Sequence, residues 1–315
     1  MHAAIDLGSN TFRLLIARPR PANRAGTPWE TVQYMHRIVR LGEDLHACGR
    51  LGQAAMTRAL AALTDFADAI RHRGLDPAAT RAVATSAMRE AENAPAFAQR
   101  IRQETGIAVR VISGEEEAGL SLAGAAAALR PDIRADMLLF DIGGGSTEFI
   151  RARNSIMQDA VSRKLGVVRL AESLLRSDPP SSDDYAAMRQ EAMRHLAAVE
   201  SAWTGVRPPR HLVGTAGTVT TLAAIDLNLF PYDADIVNNH VIGRDRFRQL
   251  RDRLLGLTHA GREAIPAIEP GRADLIIAGL AIIESIMERW HYDRLITVDA
   301  GLLEGVWLQA ARERK

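Results

Sequence analysis

Gly143-Gly144-Gly145-Ser146-Thr147 is the stretch of this chain best suited to hold an oxyanion. Glycine has no Cβ, so successive backbone N–H groups can crowd around one negatively charged oxygen, and the two hydroxyls add donors. Asp6-Leu7-Gly8-Ser9-Asn10-Thr11 has fewer glycines but follows the same plan: an apolar run, an aspartate, then a short polar turn. Asp6 and Asp141 stand 135 residues apart, each at the head of its turn. One such turn is weak evidence, because Gly, Ser and Asn are ordinary turn residues. Two in matched settings read as a duplicated grip for phosphate. Neither is a P-loop, since no Gly-Lys-Ser/Thr follows, and neither has the glycine spacing of a dinucleotide fold.

Hydrolysis of a phosphoanhydride needs a water aimed in line with the leaving oxygen and a group to take its proton. Glu115-Glu116-Glu117 follows a short apolar run and opens an alanine-rich stretch, so a carboxylate there can face a ligand from a strand end. A glutamate triplet also stabilises the N-terminal dipole of a helix, a reading that suits Glu115 and Glu116. Phosphate charge is commonly neutralised by Mg²⁺ held by one or two carboxylates and the substrate's own oxygens. Asp141 and Glu148 flank the glycine turn, and a hairpin would bring both to one cation, with Asp6 a weaker third. Their bland alternatives are a turn-capping Asp and a solvated strand residue. Asn10 and Ser146 could touch phosphate directly, and Arg163, Lys164, Arg37 and Arg40 could track a polyanion. The histidines show no ligand spacing, and Cys48 is the only cysteine, which excludes an internal disulfide or a cysteine metal cluster.

These groups need strands and helices to hold them. Apolar runs predict strands over 3–5, 12–17, 32–41, 81–84, 109–112, 137–140, 147–151, 161–165, 211–213 and 295–298. Helical spacing marks 53–71, 94–105, 118–129, 168–175, 184–203, 272–290 and a last helix after Gly301. Pro19-Arg20-Pro21-Ala22-Asn23 reads as a turn. Alternating strands and helices indicate an α/β architecture.

The bulk composition narrows the class. The 315 residues are 47% hydrophobic and 24% charged, which fits a folded chain with one large or two ordinary cores. A net charge of +1 gives no overall field to recruit nucleic acid or an anionic membrane, so neither is expected as a partner. Lysine occurs only at Lys164 and Lys315; the arginines that replace it suit bidentate phosphate contacts, although codon bias explains them as well. No apolar run approaches the roughly 20 residues a bilayer requires, and no basic-then-apolar leader precedes residue 3, so a cytoplasmic location is expected.

The two turns, read as Ala4-Ile5-Asp6-Leu7-Gly8-Ser9-Asn10-Thr11 and Phe140-Asp141-Ile142-Gly143-Gly144-Gly145-Ser146-Thr147-Glu148, resemble the exopolyphosphatase and guanosine pentaphosphate phosphohydrolase family of the actin-like ATPase superfamily. The resemblance continues through Ala84-Thr85-Ser86-Ala87-Met88-Arg89-Glu90-Ala91 and Val111-Ile112-Ser113-Gly114-Glu115-Glu116-Glu117-Ala118. It extends to Leu165-Gly166-Val167-Val168-Arg169-Leu170, Gly214-Thr215-Ala216-Gly217-Thr218 and Arg272-Ala273-Asp274-Leu275-Ile276-Ile277-Ala278-Gly279.

The resemblance implies two actin-like (ribonuclease H-like) α/β domains with a cleft between them, residues 1–120 plus 301–315 and residues 121–300, with residues 118–129 and the last helix as hinge. It implies Mg²⁺ as cofactor, with Asp141, Glu148 and Asp6 as its carboxylates. Glu117 is the implied catalytic glutamate, with Glu116 as second choice. Ser9, Asn10, Thr11, Arg89, Gly143, Gly144, Gly145, Ser146 and Thr147 are the implied substrate contacts. The implied reaction is release of terminal phosphate from inorganic polyphosphate, with guanosine pentaphosphate as rival substrate and a binding protein with little turnover as rival function. A homodimer is the assembly the resemblance allows. Leu303 stands where the family often has arginine, and the long members' further helical region is absent after Lys315, which favours short polyphosphates.

Overall fold

The computed structural model describes residues 1–21, 26–203, 205 and 207–313. Ala22 and Asn23 of the expected turn, and Lys315, lie outside the described residues. The chain forms two compact units, residues 1–128 with 300–315, and residues 129–299. The Gly114–Ala128 helix therefore belongs whole to the first.

The first unit is built on His2–Leu7 (β1), Thr11–Pro19 (β2), Trp29–Ile38 (β3), Arg81–Ala84 (β4) and Val109–Val111 (β5), in the order β3-β2-β1-β4-β5. The first three strands form an antiparallel meander; β4 and β5 join in parallel. Side chains alternate along a strand. Ile5 and Leu7 pack into the core with Leu63, Phe66 and Ile70 of the Gln53–His72 helix and Phe97 of the Ala94–Thr105 helix. Asp6 consequently points to the opposite face, which the Leu302–Glu313 helix covers, with Trp307 Nε1 donating to the His2 carbonyl at 3.1 Å.

That helix and Gly114–Ala128 touch backbone to backbone. A Cβ at Gly124 would run into the Gly301 carbonyl, and one at Gly305 into the Leu120 carbonyl. Neither obstacle is a side chain that could rotate away. Gly305→Ala is expected to destabilise the chain by about 1–3 kcal/mol, the usual cost of forcing extra atoms into a packed site. A urea or thermal melt superimposable on the wild type would refute this.

The second unit repeats the plan. Asp136–Ile142 (β6), Thr147–Arg153 (β7) and Ile156–Arg163 (β8) form the meander. His211–Thr215 (β9) and Arg294–Thr297 (β11) add in parallel, and Val241–Gly243 (β10) closes the edge antiparallel to β11, giving β10-β11-β9-β6-β7-β8. Its core is led by the Leu275–Arg289 helix, apolar on all sides and buried from Leu275 through Met287, as such helices must be. Glu284 within it is matched by the Tyr185 hydroxyl at 2.8 Å and by Arg251. Two mixed sheets that share their order over five strands, with β10 an extra edge strand of the second, and helical layers make this an α/β chain of two actin-like, ribonuclease H-like units.

Several boundaries differ from the sequence reading. β1 runs through Leu7 and β6 through Ile142, so Asp6 and Asp141 are penultimate strand residues rather than turn residues. The helix expected from 118 starts at Gly114, because Ser113 caps it: its Oγ accepts the Glu116 amide at 3.1 Å. β8 begins at Ile156 rather than 161, after a turn in which Asn154 and Ser155 take left-handed φ values. The helix expected from 272 begins at Leu275. Among the described residues, no helix is long and apolar enough to cross a membrane.

Candidate active site

The two glycine turns have one geometry. Leu7 pairs with Phe12 and Ile142 with Thr147, so each hairpin closes over four intervening residues. In each, the glycine after the strand donates to the carbonyl three residues on: Gly8 to Thr11 at 3.2 Å, Gly143 to Ser146 at 2.9 Å. The 135-residue offset therefore holds atom for atom, and the duplication seen in the sequence is a duplication of structure.

The turns are braced differently. Ser9 Oγ accepts the Ala87 amide at 3.1 Å, tying the first turn to the Ser86–Glu90 helix. The Asn10 carbonyl takes the amides of Val39 and Arg40 at 2.8 and 2.9 Å, and Asn10 Nδ2 reaches Thr11 Oγ1 at 3.3 Å. Ser9 thus keeps a hydroxyl proton to donate, while Asn10 Oδ1 is buried with no partner among the described residues. The second turn rests on the start of the Val167–Leu174 helix. Val167 and Val168 donate to the carbonyls of Gly143 and Gly144 at 3.1 and 3.0 Å. Those bonds turn the carbonyls away and leave the partly exposed Gly144 and Gly145 amides with no protein acceptor among the described residues. Ser146 is buried beside them. Thr147 is fully buried and its hydroxyl donates to the Leu165 carbonyl, so this side chain braces the turn rather than offering a donor to a ligand.

Glu117 and Arg89 meet. β4 and β5 run parallel with Ala84 opposite Val111, so their C-terminal ends deliver residues 85–89 and 113–117 to the same edge of the sheet, the edge where α/β sheets bind ligands. Arg89 Nη1 donates to Glu117 Oε2 at 3.1 Å and to the Ile112 carbonyl at 2.8 Å. The Glu117 side chain is 8% exposed and that of Arg89 28%, so the arginine is the counter-charge that permits a buried carboxylate, with part of its fork toward solvent. The other two glutamates part company with it: Glu115 is exposed, and Glu116 pairs with Arg110 at 2.6 Å.

Asp141 and Glu148 are directly opposite across β6 and β7, hence on one face, and both are buried. Such opposed pairs place Cβ atoms about 5 Å apart. Ser162, on the next strand opposite Glu148, donates to Glu148 Oε1 at 2.7 Å and orients it. Among the described residues no cluster of three or more His, Cys, Asp or Glu could hold a metal alone. Asp6 sits differently. Its Oδ2 accepts both Arg13 Nε at 3.0 Å and Nη2 at 2.6 Å, while Oδ1 is buried without a hydrogen-bond partner among the described residues. Burial works against the Arg13 charge, but Asp6, together with Tyr34 and Glu304, more than offsets it and raises the guanidinium above its usual value.

Other basic candidates lie at the margins. Arg37 is exposed and pairs with Asp65 at 3.2 Å; Arg163 ends β8 opposite Thr147, next to Lys164. Sequence reasoning missed Arg13 and Ser162, both readable only once the strand register is known.

A profile of the Ppx/GppA phosphatase family matches residues 22–313. Exopolyphosphatase 2 of Mycobacterium tuberculosis is 35% identical over 98% of this chain and 98% of its own. A crystal structure of an exopolyphosphatase from Cytophaga hutchinsonii shares 28% identity across 98% of this chain and 97% of that one, with a TM-score of 0.88. The Ppx/GppA member from Aquifex aeolicus shares 28% across 99% and 98%, with a TM-score of 0.81. With a family match over nearly its whole length and such a relative at 35% identity, the chain belongs to the Ppx/GppA phosphatase family.

Proposed function

We propose that this chain hydrolyses the terminal phosphoanhydride of inorganic polyphosphate. The observation that carries the reading is the buried Glu117 held by Arg89 at a sheet edge. Glu117 orients the attacking water and takes its proton, and Arg89 anchors a phosphate oxygen with its solvent-facing nitrogens. Phosphoryl transfer has a loose transition state that asks little of a base and much of positioning, so a carboxylate fixed by an arginine suits the task. In the second unit Gly144 and Gly145 offer amides, and Ser146 a hydroxyl, to phosphate oxygens; in the first unit Ser9, Asn10 and Thr11 offer polar groups suited to the same chemistry.

Asp141 and Glu148 fit Mg²⁺: two oxygen-only donors on one face, too few to complete a cage, so that water and substrate oxygens supply the rest. Bound there, Mg²⁺ would neutralise charge on the phosphate chain. Ser162 keeps Glu148 aimed.

The test is phosphate release from short and long polyphosphate, guanosine pentaphosphate and ATP, with Mg²⁺ and with excess chelator. Release from polyphosphate that stops with chelator and returns with Mg²⁺ is expected. A preference for guanosine pentaphosphate would move the same chemistry to a nucleotide, and no release from any substrate would sink the enzyme reading. Glu116→Ala is expected to keep kcat within about twofold, since surface ion pairs contribute little; a larger fall would transfer the catalytic role to that residue.

A further inference from the structure

The two hairpins share one register, and they differ in the charge that stands opposite the aspartate. Asp6 faces Arg13 across β1 and β2; Asp141 faces Glu148 across β6 and β7, at the same 135-residue offset. The first hairpin has an anion facing a cation, the second an anion facing an anion. We propose that Arg13 is the resident cation of the first hairpin, so that Asp6 binds no metal and the second unit alone holds the divalent ion.

The geometry supports this on two counts. Both Arg13 contacts converge on one oxygen of Asp6, Oδ2, and a metal on that oxygen would have to displace a two-pronged ion pair whose carboxylate is 4% exposed. A metal on Oδ1 would share one carboxylate with the guanidinium and meet its charge. Glu304, on the helix that covers this face, adds electrostatic attraction for the guanidinium's charge. The remaining oxygen, Asp6 Oδ1, is buried and can accept only a neutral donor such as a water without adding a second cation beside Arg13. Arg13 is thus a positioning residue: it fixes the carboxylate at the base of the Gly8–Thr11 turn without a metal.

The inference rests on the proposed reading of Asp141 and Glu148, and direct Mn²⁺ binding to the full chain, followed by electron paramagnetic resonance of the free ion, tests the two apart. Wild type is expected to take up one Mn²⁺. Glu148→Gln, the control on the earlier reading, should weaken uptake at least about tenfold. Asp6→Asn should leave affinity within about threefold. Arg13→Glu rebuilds the opposed carboxylate pair in the first hairpin and should create a second Mn²⁺ site, which Arg13→Gln should not. Loss of Mn²⁺ in Asp6→Asn as severe as in Glu148→Gln would overturn the proposal, as would two sites or none in the wild type, or a folded Arg13→Glu with no second site. If Arg13→Glu does not fold, the Asp6→Asn result decides.

Discussion

Glu117→Gln is expected to lower kcat for phosphate release by about 10²–10⁴-fold, the usual contribution of a positioned general base. The substitution keeps the shape and removes only the charge and the proton affinity. Glu117 is buried in the first turn of its helix, fixed at the backbone by its own amide donating to Ser113 O at 2.9 Å and at the tip by Arg89. The glutamine can still accept a hydrogen bond from Arg89, so a gross shift of the helix is not part of the expected loss. KM should change much less than kcat, since the group acts on water rather than on the phosphate chain. Glu117→Asp separates placement from charge: it keeps the carboxylate but withdraws it by one methylene, and a displacement of about 1 Å can cost about 10²-fold by itself. Arg89→Lys should instead show its main effect in KM, because an ammonium cannot hold Glu117 and a phosphate oxygen with one planar fork. Glu117→Gln with wild-type kcat would end the role given to this residue, whatever the fate of the hydrolase reading.

How the sequence exposed this site, and where it fell short, follows from what the signals depend on. The Arg81–Ala84 strand and the Ala94–Thr105 helix stand where the apolar pattern puts them, because the strand is buried on both faces as a short continuous apolar run and the helix buries one clear face. The Arg244–Leu255 helix escaped notice: its face is only Phe247, Leu250 and Leu254 among charged residues, and the three-residue β10 before it is too short to show a period. Asp6 and Asp141 look alike in sequence because each heads a turn. Their different partners are set by cross-strand register, which decides what stands opposite, not by local composition. Likewise Arg89 and Glu117 lie 28 positions apart and meet only because β4 and β5 end together. Thr147 misleads for the opposite reason: it belongs to a phosphate-like motif, yet its hydroxyl is consumed by Leu165.

Gly166→Ala is expected to cost about 10²-fold in kcat/KM while the first unit stays intact. A Cβ at residue 166 would run into the Gly144 carbonyl and the Gly145 carbonyl carbon, all of it backbone. The segment cannot yield by a rotamer change, since Val167 and Val168 are bonded to the same turn and Thr147 holds Leu165 from below. The turn must move instead, taking with it the amides of Gly144 and Gly145 that the proposed function aims at phosphate. A shift of about 1 Å suffices for the predicted loss. The stability cost should be modest, about 1–3 kcal/mol, because the turn's outer side is partly open to solvent and can give way there. Activity and melting should therefore separate in this variant: a large fall in kcat/KM on a chain that still melts cooperatively. Equal activity to the wild type would show that the Gly143–Gly145 turn does not grip the substrate. That outcome would leave the role of Glu117 untouched and end the role given to the second unit's glycines.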